Sequence, residues 1–286
     1  MQGFVSRIND VMLWHITEGQ GIPIVLIHGG PGAYDYLGPV AELLDKERYQ
    51  VIRYEQRGSW RSENKGPYNV ETFIEDLEHL RIHLGVESWV VCGHSWGASL
   101  ALAYTAKYNS RVKALIYVSG TGNSSAWHAD YRVNRLNRMS VEDQLEFTYL
   151  RSIVDTLNGA DKERTRDRLR ELSVITDLFF KENYDMLPRV DGEFVNNEVN
   201  QILGTKSNEY LESEKFKDSL SFITAPSLFL HGEVDPRPYK YVLELADHLH
   251  NSEFKLISEA GHYPWLDNPL SLGENIAKFI DLNVLN

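Results

Sequence analysis

The sequence predicts an α/β fold in which a mostly parallel sheet is flanked by helices and interrupted by an inserted helical cap. Short apolar runs alternate with helix-forming runs over residues 1–122, and the same alternation returns over residues 223–286. Residues 123–222 instead are polar and helical in character, without an apolar strand. Strands that are apolar on both faces and separated by helices are typical of a sheet covered on both sides.

The first part of the chain contains the strands that define this pattern. Phe4–Ile8 and Met12–Thr17 alternate in polarity, which predicts a partly exposed antiparallel pair. The next strands are shorter and mostly apolar on both faces, as buried parallel strands are; they are Ile24–Ile27, Val51–Tyr54, Trp89–Cys92 and Ala114–Val118. Helices are expected between them at Leu37–Leu44, Val70–Leu84 and Trp96–Tyr108.

Residues 123–222, called here the cap segment, are rich in Arg, Glu, Asn and Asp. Helical periodicity over Val141–Leu157 and Lys162–Asn183 predicts two long helices in this segment. The α/β pattern then resumes with a strand at Ser227–Leu230, a helix at Tyr239–Leu249, a strand at Glu253–Ile257 and a closing helix at Pro269–Leu282. We therefore expect a core made of residues 1–122 and 223–286, with the cap segment laid over its sheet.

Composition excludes several classes of function. Of 286 residues, 42% are hydrophobic, which is enough for a large core, and 29 basic against 41 acidic residues give a net charge of −12. No run of Lys or Arg offers a surface for nucleic acid or an anionic membrane, and no apolar run or signal-like start indicates membrane insertion or export. The single cysteine, Cys92, lies in an apolar run and is expected to be inert. We expect a cytoplasmic protein, and its oligomeric state stays open.

The stretch Gly93-His94-Ser95-Trp96-Gly97 lies between an apolar strand and an alanine-rich helix. Glycines on both sides of the serine permit a sharp turn, because no Cβ atom stands in the way. Such a turn exposes a nucleophilic serine, although a lone Gly-x-Ser-x-Gly also occurs in ordinary loops. The choice depends on whether the rest of the chain supplies the partners of a nucleophile.

A nucleophilic serine needs a base within hydrogen-bonding reach, and the base needs an acid that orients it. Asp235 follows the strand at Ser227–Leu230, and His262 follows the last strand. Taken singly, Asp235 fits a turn residue before Pro236, and His262 fits an ordinary surface or core histidine. Together with Ser95 they stand at three strand ends in the order Ser, Asp, His, which is the order of α/β-hydrolases. We therefore predict that Ser95 is the nucleophile, His262 the base and Asp235 its orienting acid.

The loop His28-Gly29-Gly30-Pro31-Gly32 follows the first buried strand, where backbone N–H groups can stabilise an oxyanion. Its proline has no N–H, so we expect the donors to be the amides of Gly30 and of Trp96, the residue after the nucleophile. His28 is expected to brace the loop and His94 to pack within the turn. No histidines have the spacing of metal ligands, and no nucleotide-binding glycine loop occurs, so neither a metal nor a cofactor is predicted.

These motifs, together with Tyr54-Glu55-Gln56-Arg57-Gly58, Gly232-Glu233-Val234-Asp235 and Gly261-His262, resemble the proline iminopeptidase branch of the α/β-hydrolases. The resemblance covers both core segments and is weak in the cap segment. It implies a small-molecule or short-peptide substrate from which an N-terminal residue, often proline, is removed after Ser95 attacks the first peptide carbonyl.

The resemblance also implies that carboxylates of the cap segment bind the substrate's α-amino group, since a buried ammonium requires a paired charge. Val195-Asn196-Asn197-Glu198-Val199 is similar to the amine-binding segment of the family, which marks Glu198 as the candidate. Three nearby glutamates compete with it, and all of them also fit an exposed acidic helix; they are Glu209, Glu212 and Glu214.

The chain departs from the family pattern at three positions. Pro236 stands where one branch has a second amine-binding glutamate, and Glu55 and Trp60 replace the usual aspartate and glycine of their loop. These departures keep two other functions open. One is a hydrolase of small esters, lactones or carbon–carbon bonds, and the other is a ligand-binding receptor that has the fold without the chemistry.

Overall fold

The computed structural model describes residues 3–187 and 195–285, so the part of the cap segment at 188–194 lies outside the described residues. The described residues form eight strands, which are β1 (Phe4–Ile8), β2 (Val11–Glu18), β3 (Ile22–Ile27), β4 (Tyr49–Tyr54), β5 (Trp89–His94), β6 (Val112–Val118), β7 (Ser227–Gly232) and β8 (Ser252–Ile257). They lie in one sheet in the order β1-β2-β4-β3-β5-β6-β7-β8. β1 and β2 are antiparallel, and the other six run parallel to one another, which confirms the predicted mostly parallel sheet.

Helices connect most of the strands, and the described residues between β6 and β7 form five successive helices. In chain order the helices are α1 (Gly38–Glu42), α2 (Val70–His83), α3 (Trp96–Lys107), α4 (Trp127–Asn137), α5 (Val141–Ile153), α6 (Gly159–Ile175), α7 (Asn197–Glu212), α8 (Glu214–Leu220), α9 (Lys240–Ala246), α10 (Pro264–Asp267) and α11 (Pro269–Asn283). The described part of the cap segment thus contributes α4 to α8 and no strand to the sheet.

The two faces of the sheet belong to two separate hydrophobic clusters. In β3, Val25 and Ile27 point into a cluster that includes residues of α2 and α3, whereas Ile24 and Leu26 point into one that includes residues of α1 and α11. All four side chains are at most 1% exposed. Because both faces are covered by helices, every residue of such a strand must be apolar, which is the pattern that the sequence shows.

One predicted helix is shorter in the structure than its periodicity indicates. The sequence predicts a helix at Lys162–Asn183, but α6 ends at Ile175. Directly after it, Leu178 is fully buried in the cluster beneath α11, and the backbone oxygen of Asp177 accepts a hydrogen bond from the N–H of His262 at 2.6 Å. The chain leaves the helix because these contacts with the core replace the helical hydrogen bonds.

Candidate active site

Ser95 occupies a sharp turn between the end of β5 and the start of α3. Its φ of 56° and ψ of −123° lie in a region that residues other than glycine rarely adopt. A Cβ atom at Gly93 would lie 2.1 Å from the backbone oxygen of Gly97, and one at Gly97 would lie 2.1 Å from that of Ile27. The turn therefore requires glycine on both sides of the serine, which is the spacing that the sequence presents.

We expect that replacing Gly97 with alanine lowers the free energy of unfolding by about 3 kcal/mol or more, at the upper end of overpacking effects. The added methyl group would meet the backbone oxygens of Ile27 and His28, at 2.1 and 2.6 Å, and neither can move without displacing the end of β3. Urea unfolding followed by circular dichroism measures the change.

Gly204→Ala is the matched control, because Gly204 lies inside α7 and no described neighbour comes within 4 Å of the position that a methyl group would take there. Alanine at this position is expected to be neutral or stabilising by about 0.5–1 kcal/mol. Equal stability of the two variants would contradict the close approach described for the serine turn.

The structure brings the three predicted triad side chains into one hydrogen-bonded chain. The His262 Nε2 atom lies 3.1 Å from Ser95 Oγ, and His262 Nδ1 lies 2.6 Å from Asp235 Oδ2. Asp235 follows β7 and His262 follows β8, so the carboxyl ends of neighbouring strands supply both. His262 is 2% exposed, Asp235 is 8% exposed and Ser95 is only half-buried, which makes Ser95 the most exposed of the three residues.

Asp235 is held in its ionised form by the groups around it. Burial by itself would raise the pKa of this carboxyl, but the charges of His262 and Arg237 and the hydrogen bond from His262 outweigh it and hold the pKa well below the ordinary value. Asp235 Oδ1 accepts the backbone N–H of Arg237 at 2.9 Å. An ionised Asp235 accepts the Nδ1–H of His262, so Nε2 carries the lone pair that faces Ser95.

The glycine loop after β3 is braced by the side chain of His28. His28 Nδ1 donates to the backbone oxygen of Gly29 at 2.8 Å, while its Nε2 accepts the backbone N–H of Gln56 at 3.2 Å. Gln56 Oε1 in turn accepts the indole N–H of Trp96 at 2.9 Å. The backbone N–H groups of Gly30 and Trp96, by contrast, have no acceptor within the described parts of the chain.

A second chain of hydrogen bonds joins the glycine loop to the loop of His262, and sequence reasoning did not find it. The Tyr36 hydroxyl accepts the N–H of Gly29 at 2.8 Å and donates to His94 Nδ1 at 2.7 Å. His94 Nε2 then donates to the backbone oxygen of His262 at 2.8 Å. Burial, followed by the neighbouring His262, holds the pKa of His94 well below its usual range. His94 thus packs as a neutral imidazole within the turn.

The start of α7 lies against the glycine loop. The backbone N–H of Asn196 donates to Gly32 O at 2.9 Å, and Asn200 Nδ2 donates to Pro31 O at 3.0 Å. Glu198 is exposed on this first turn and lines a cleft of about 460 Å³, together with Trp60. Gly32 of the glycine loop also lines this cleft, whereas Ser95 is not among its described lining residues.

The two unusual residues of the loop after β4 form one arrangement. Glu55 is fully buried and accepts hydrogen bonds from the backbone N–H and the guanidinium of Arg61, at 2.7 Å in each case. The Arg61 guanidinium lies 3.3 Å from the ring centroid of Trp14 and 4.7 Å from that of Trp60. Glu55 thus binds the Arg61 guanidinium, which also contacts the rings of Trp14 and Trp60. Trp60 is 55% exposed and forms part of the cleft wall.

Several other features bear on the chemistry. Within residues 3–187 and 195–285, no group of three or more His, Cys, Asp or Glu side chains is arranged to hold a metal ion. The same residues include no helix long and apolar enough to span a bilayer. Cys92 is buried, and burial raises the pKa of its thiol to about 12, so the thiolate is not populated near neutral pH.

Comparison with known proteins agrees with this architecture. The model of the α/β-hydrolase fold family matches residues 22–269. A proline iminopeptidase of Clostridioides difficile is 27% identical over 267 residues, which cover 88% of this chain and 86% of that protein. The solved proline iminopeptidase of Mycobacterium smegmatis superposes with a TM-score of 0.73 at 18% identity over 99% of both chains. A solved meta-cleavage product hydrolase from Pseudomonas fluorescens superposes with a TM-score of 0.73 at 16% identity, over 98% of this chain and 97% of that one.

The strand order, the strained serine turn and the family match define a hydrolase of the α/β class. The chain belongs to the α/β-hydrolase fold family, in its proline iminopeptidase-like branch. The fold and the resemblance that the sequence predicts are thereby confirmed, while the two solved structures, which are below 25% identity, add support for the fold alone.

Proposed function

We propose that this protein is a serine aminopeptidase that releases an N-terminal residue, proline or another small residue, from short peptides. The observation that carries the proposal is the hydrogen-bonded chain from Ser95 through His262 to Asp235 at the carboxyl edge of the sheet. Residues 1–122 and 223–286 form the catalytic core in this proposal, and the cap segment covers the substrate. The sequence relatives that are named proline iminopeptidases support the choice of substrate.

The reaction begins when His262 Nε2 accepts the proton of Ser95 and Oγ attacks the carbonyl carbon of the N-terminal residue. The carbonyl oxygen becomes an oxyanion, and the amides of Gly30 and Trp96 donate to it. Protonated His262 then gives its proton to the departing amine. Water, activated by His262, hydrolyses the acyl-enzyme and releases the amino acid. Asp235 stays ionised throughout and stabilises the imidazolium.

Glu198 is the proposed partner of the substrate's ammonium group. It belongs to the first turn of α7, whose Asn196 and Asn200 contact the loop that contains Gly30. A substrate whose carbonyl oxygen lies near the Gly30 amide would therefore have its N-terminal end near this turn. A carboxylate there selects for a free amine through a charge-assisted hydrogen bond.

One observation favours a second function, hydrolysis of a small ester or carbon–carbon bond. Pro236 follows Asp235, and the next residue is the cation Arg237, so neither of the two positions after Asp235 supplies a carboxylate to an amine. If Glu198 does not bind the amine either, an unblocked peptide has no advantage over an uncharged substrate. Fast cleavage of esters without cleavage of any aminoacyl arylamide would establish the second function.

We expect the enzyme to cleave a proline or alanine arylamide and to cleave the N-acetylated form at least tenfold more slowly in kcat/KM, since a charge-assisted hydrogen bond is worth about 1.5–3 kcal/mol. Glu198→Gln should raise KM for the free-amine substrate about tenfold. Its activity toward the acetylated substrate should stay unchanged, because that substrate carries no ammonium group. Initial rates of arylamine release measure all four values.

Glu209→Gln is the matched control, because Glu209 is also exposed on α7 but lines a different cleft, next to Lys206. It should leave both substrates unaffected. Equal or faster cleavage of the acetylated arylamide would argue against amine recognition altogether. An effect of Glu209→Gln in place of Glu198→Gln would move the amine site to the other end of the helix.

A further inference from the structure

Arg237 is a nearly buried cation that contacts the proposed catalytic acid. Its side chain is 14% exposed, and Nη1 lies 3.3 Å from Asp235 Oδ1 and 2.9 Å from Asp177 Oδ1. The second terminal nitrogen, Nη2, is 3.4 Å from Asp177 Oδ2. The face of the Tyr131 ring covers the guanidinium at 4.6 Å from the ring centroid. A cation in this position contacts two carboxylates at once.

Asp177 connects this cation to His262 by a second route. Asp177 belongs to the cap segment, and its backbone oxygen accepts the N–H of His262 at 2.6 Å. The approach is close, because a Cβ atom at Gly261 would lie 2.1 Å from the same oxygen. A single residue of the cap segment therefore contacts the backbone of the base and, through Arg237, the carboxylate of the acid.

The charges around Asp235 come from several elements. Arg237 contacts Asp235 directly, and Asp177 contacts Arg237. Arg138 donates hydrogen bonds to the backbone oxygens of Thr176 and Leu178, on either side of Asp177. The other titratable side chains near the triad are His94, His231, Asp267, Tyr36, Tyr131 and Tyr263. The two histidines of this set are buried, which lowers the pKa of each, and burial raises the pKa of each of the three phenols, so these five are neutral at pH 7.

We propose that Arg237 is a positioning residue for the triad: it clamps Asp235 to Asp177 of the cap segment, and its charge limits how strongly Asp235 stabilises protonated His262. This inference rests on the proposed serine hydrolase mechanism. Arg237 has no role in amine binding here, because both of its terminal nitrogens face carboxylates of the protein.

Removing the charge of Arg237 and removing the charge of Asp177 should shift the pH dependence of activity in opposite directions. His262 must be neutral to accept the Ser95 proton, so activity falls at acid pH as the imidazole is protonated. Removing the Arg237 cation makes the imidazolium more favourable, so the acid limb of the pH–rate profile, where the rate falls as pH decreases, moves to higher pH. Removing the charge of Asp177 leaves Arg237 less compensated, and the acid limb then moves to lower pH. If Arg237 and Asp177 contributed only to folding, the two substitutions would not shift the acid limb in opposite directions.

The experiment measures the second-order rate of inactivation by a fluorophosphonate between pH 4 and pH 9, with Ser95→Ala as the unlabelled reference. Arg237→Met should raise the midpoint of the acid limb by about one pH unit, the scale expected for a unit charge at this range. Arg237→Lys keeps the charge and should leave the midpoint in place while lowering the plateau rate about threefold, because a lysine cannot bind two carboxylates as a fork. Asp177→Asn should lower the midpoint.

Arg81→Met is the matched control, since Arg81 is also buried and paired with a carboxylate, that of Glu78, but belongs to α2. It should lower Tm without moving the midpoint. The proposal is overturned if Arg237→Met keeps the parent midpoint, if Arg81→Met shifts it equally, or if Asp177→Asn shifts it upward. If Arg237→Met does not fold, the downward shift of Asp177→Asn alone decides. A parent protein that is not labelled at Ser95 overturns the proposed mechanism, and this inference with it.

Discussion

Ser95→Ala should lower kcat for an aminoacyl arylamide by about 10⁶-fold, as removal of a catalytic serine does when oxyanion donors remain. Without Oγ no acyl-enzyme can form, although the proposed oxyanion donors, the amides of Gly30 and Trp96, remain. The fold should be retained, because alanine fills less space and adopts the φ of 56° at a cost similar to that of serine. Single-turnover assays at high enzyme concentration, with circular dichroism as the check on folding, measure the loss.

Ser119→Ala provides a matched control for this prediction. Ser119 is fully buried and, like Ser95, has a positive φ, here 47°, and its hydroxyl has no hydrogen-bond partner among the described residues. Its replacement should change kcat less than about threefold, because its hydroxyl makes no hydrogen bond to Ser95 or to any other described residue. If Ser95→Ala were as active as Ser119→Ala, the nucleophile would have to be another group.

Asp235→Asn should lower kcat about 10⁴-fold, the loss that follows when the base is held in the wrong tautomer. Asp235 Oδ1 faces two donors of Arg237, the backbone N–H at 2.9 Å and Nη1 at 3.3 Å, so the asparagine oxygen will turn toward Arg237. Its amide NH₂ then faces His262 Nδ1, which must accept. The remaining proton lies on Nε2, and the imidazole cannot take the proton of Ser95.

Asp76→Asn controls for the loss of a buried carboxylate in general. Asp76 is 1% exposed and paired with Arg57 through two hydrogen bonds, at 2.5 and 2.6 Å. Its replacement should reduce stability and leave kcat within about threefold of the parent, since it contacts no proposed catalytic group. A kcat for Asp235→Asn close to that of Asp76→Asn would show that Asp235 does not set the tautomer of His262.

The sheet and the serine turn were predictable because their causes are local. β3 to β6 are mostly apolar on both faces since helices cover both, and the two glycines around Ser95 are required by backbone contacts with Gly97 and Ile27. The pairing of Asp235 with His262 was predictable from chain order alone, because both follow strands that end at the same edge of the sheet. The catalytic roles themselves stay predictions.

The contacts within the cap segment were not predictable, because they depend on long-range packing. α7 buries one residue per turn, and these residues are Val199, Leu203, Ser207 and Leu211. Because the buried stripe is one residue wide and includes a serine, it does not stand out as an apolar pattern in the sequence. The end of α6 at Ile175 is imposed by the His262 loop, and the pair of Arg237 and Asp177 joins residues 60 positions apart. No periodicity or turn chemistry encodes either feature.

The hydrogen bonds between the start of α7 and the glycine loop limit how this protein can be recombined with its relatives. Val195 pairs with Ala33 as an isolated bridge, and Asn196 and Asn200 bind Gly32 and Pro31. A chimaera that exchanges residues 123–222 for those of a homologue would therefore separate two halves of one hydrogen-bonded unit. Grafts intended to change substrate preference should transfer residues 30–33 and 195–200 together, so that Gly30, a proposed oxyanion donor, keeps the backbone contacts of its loop.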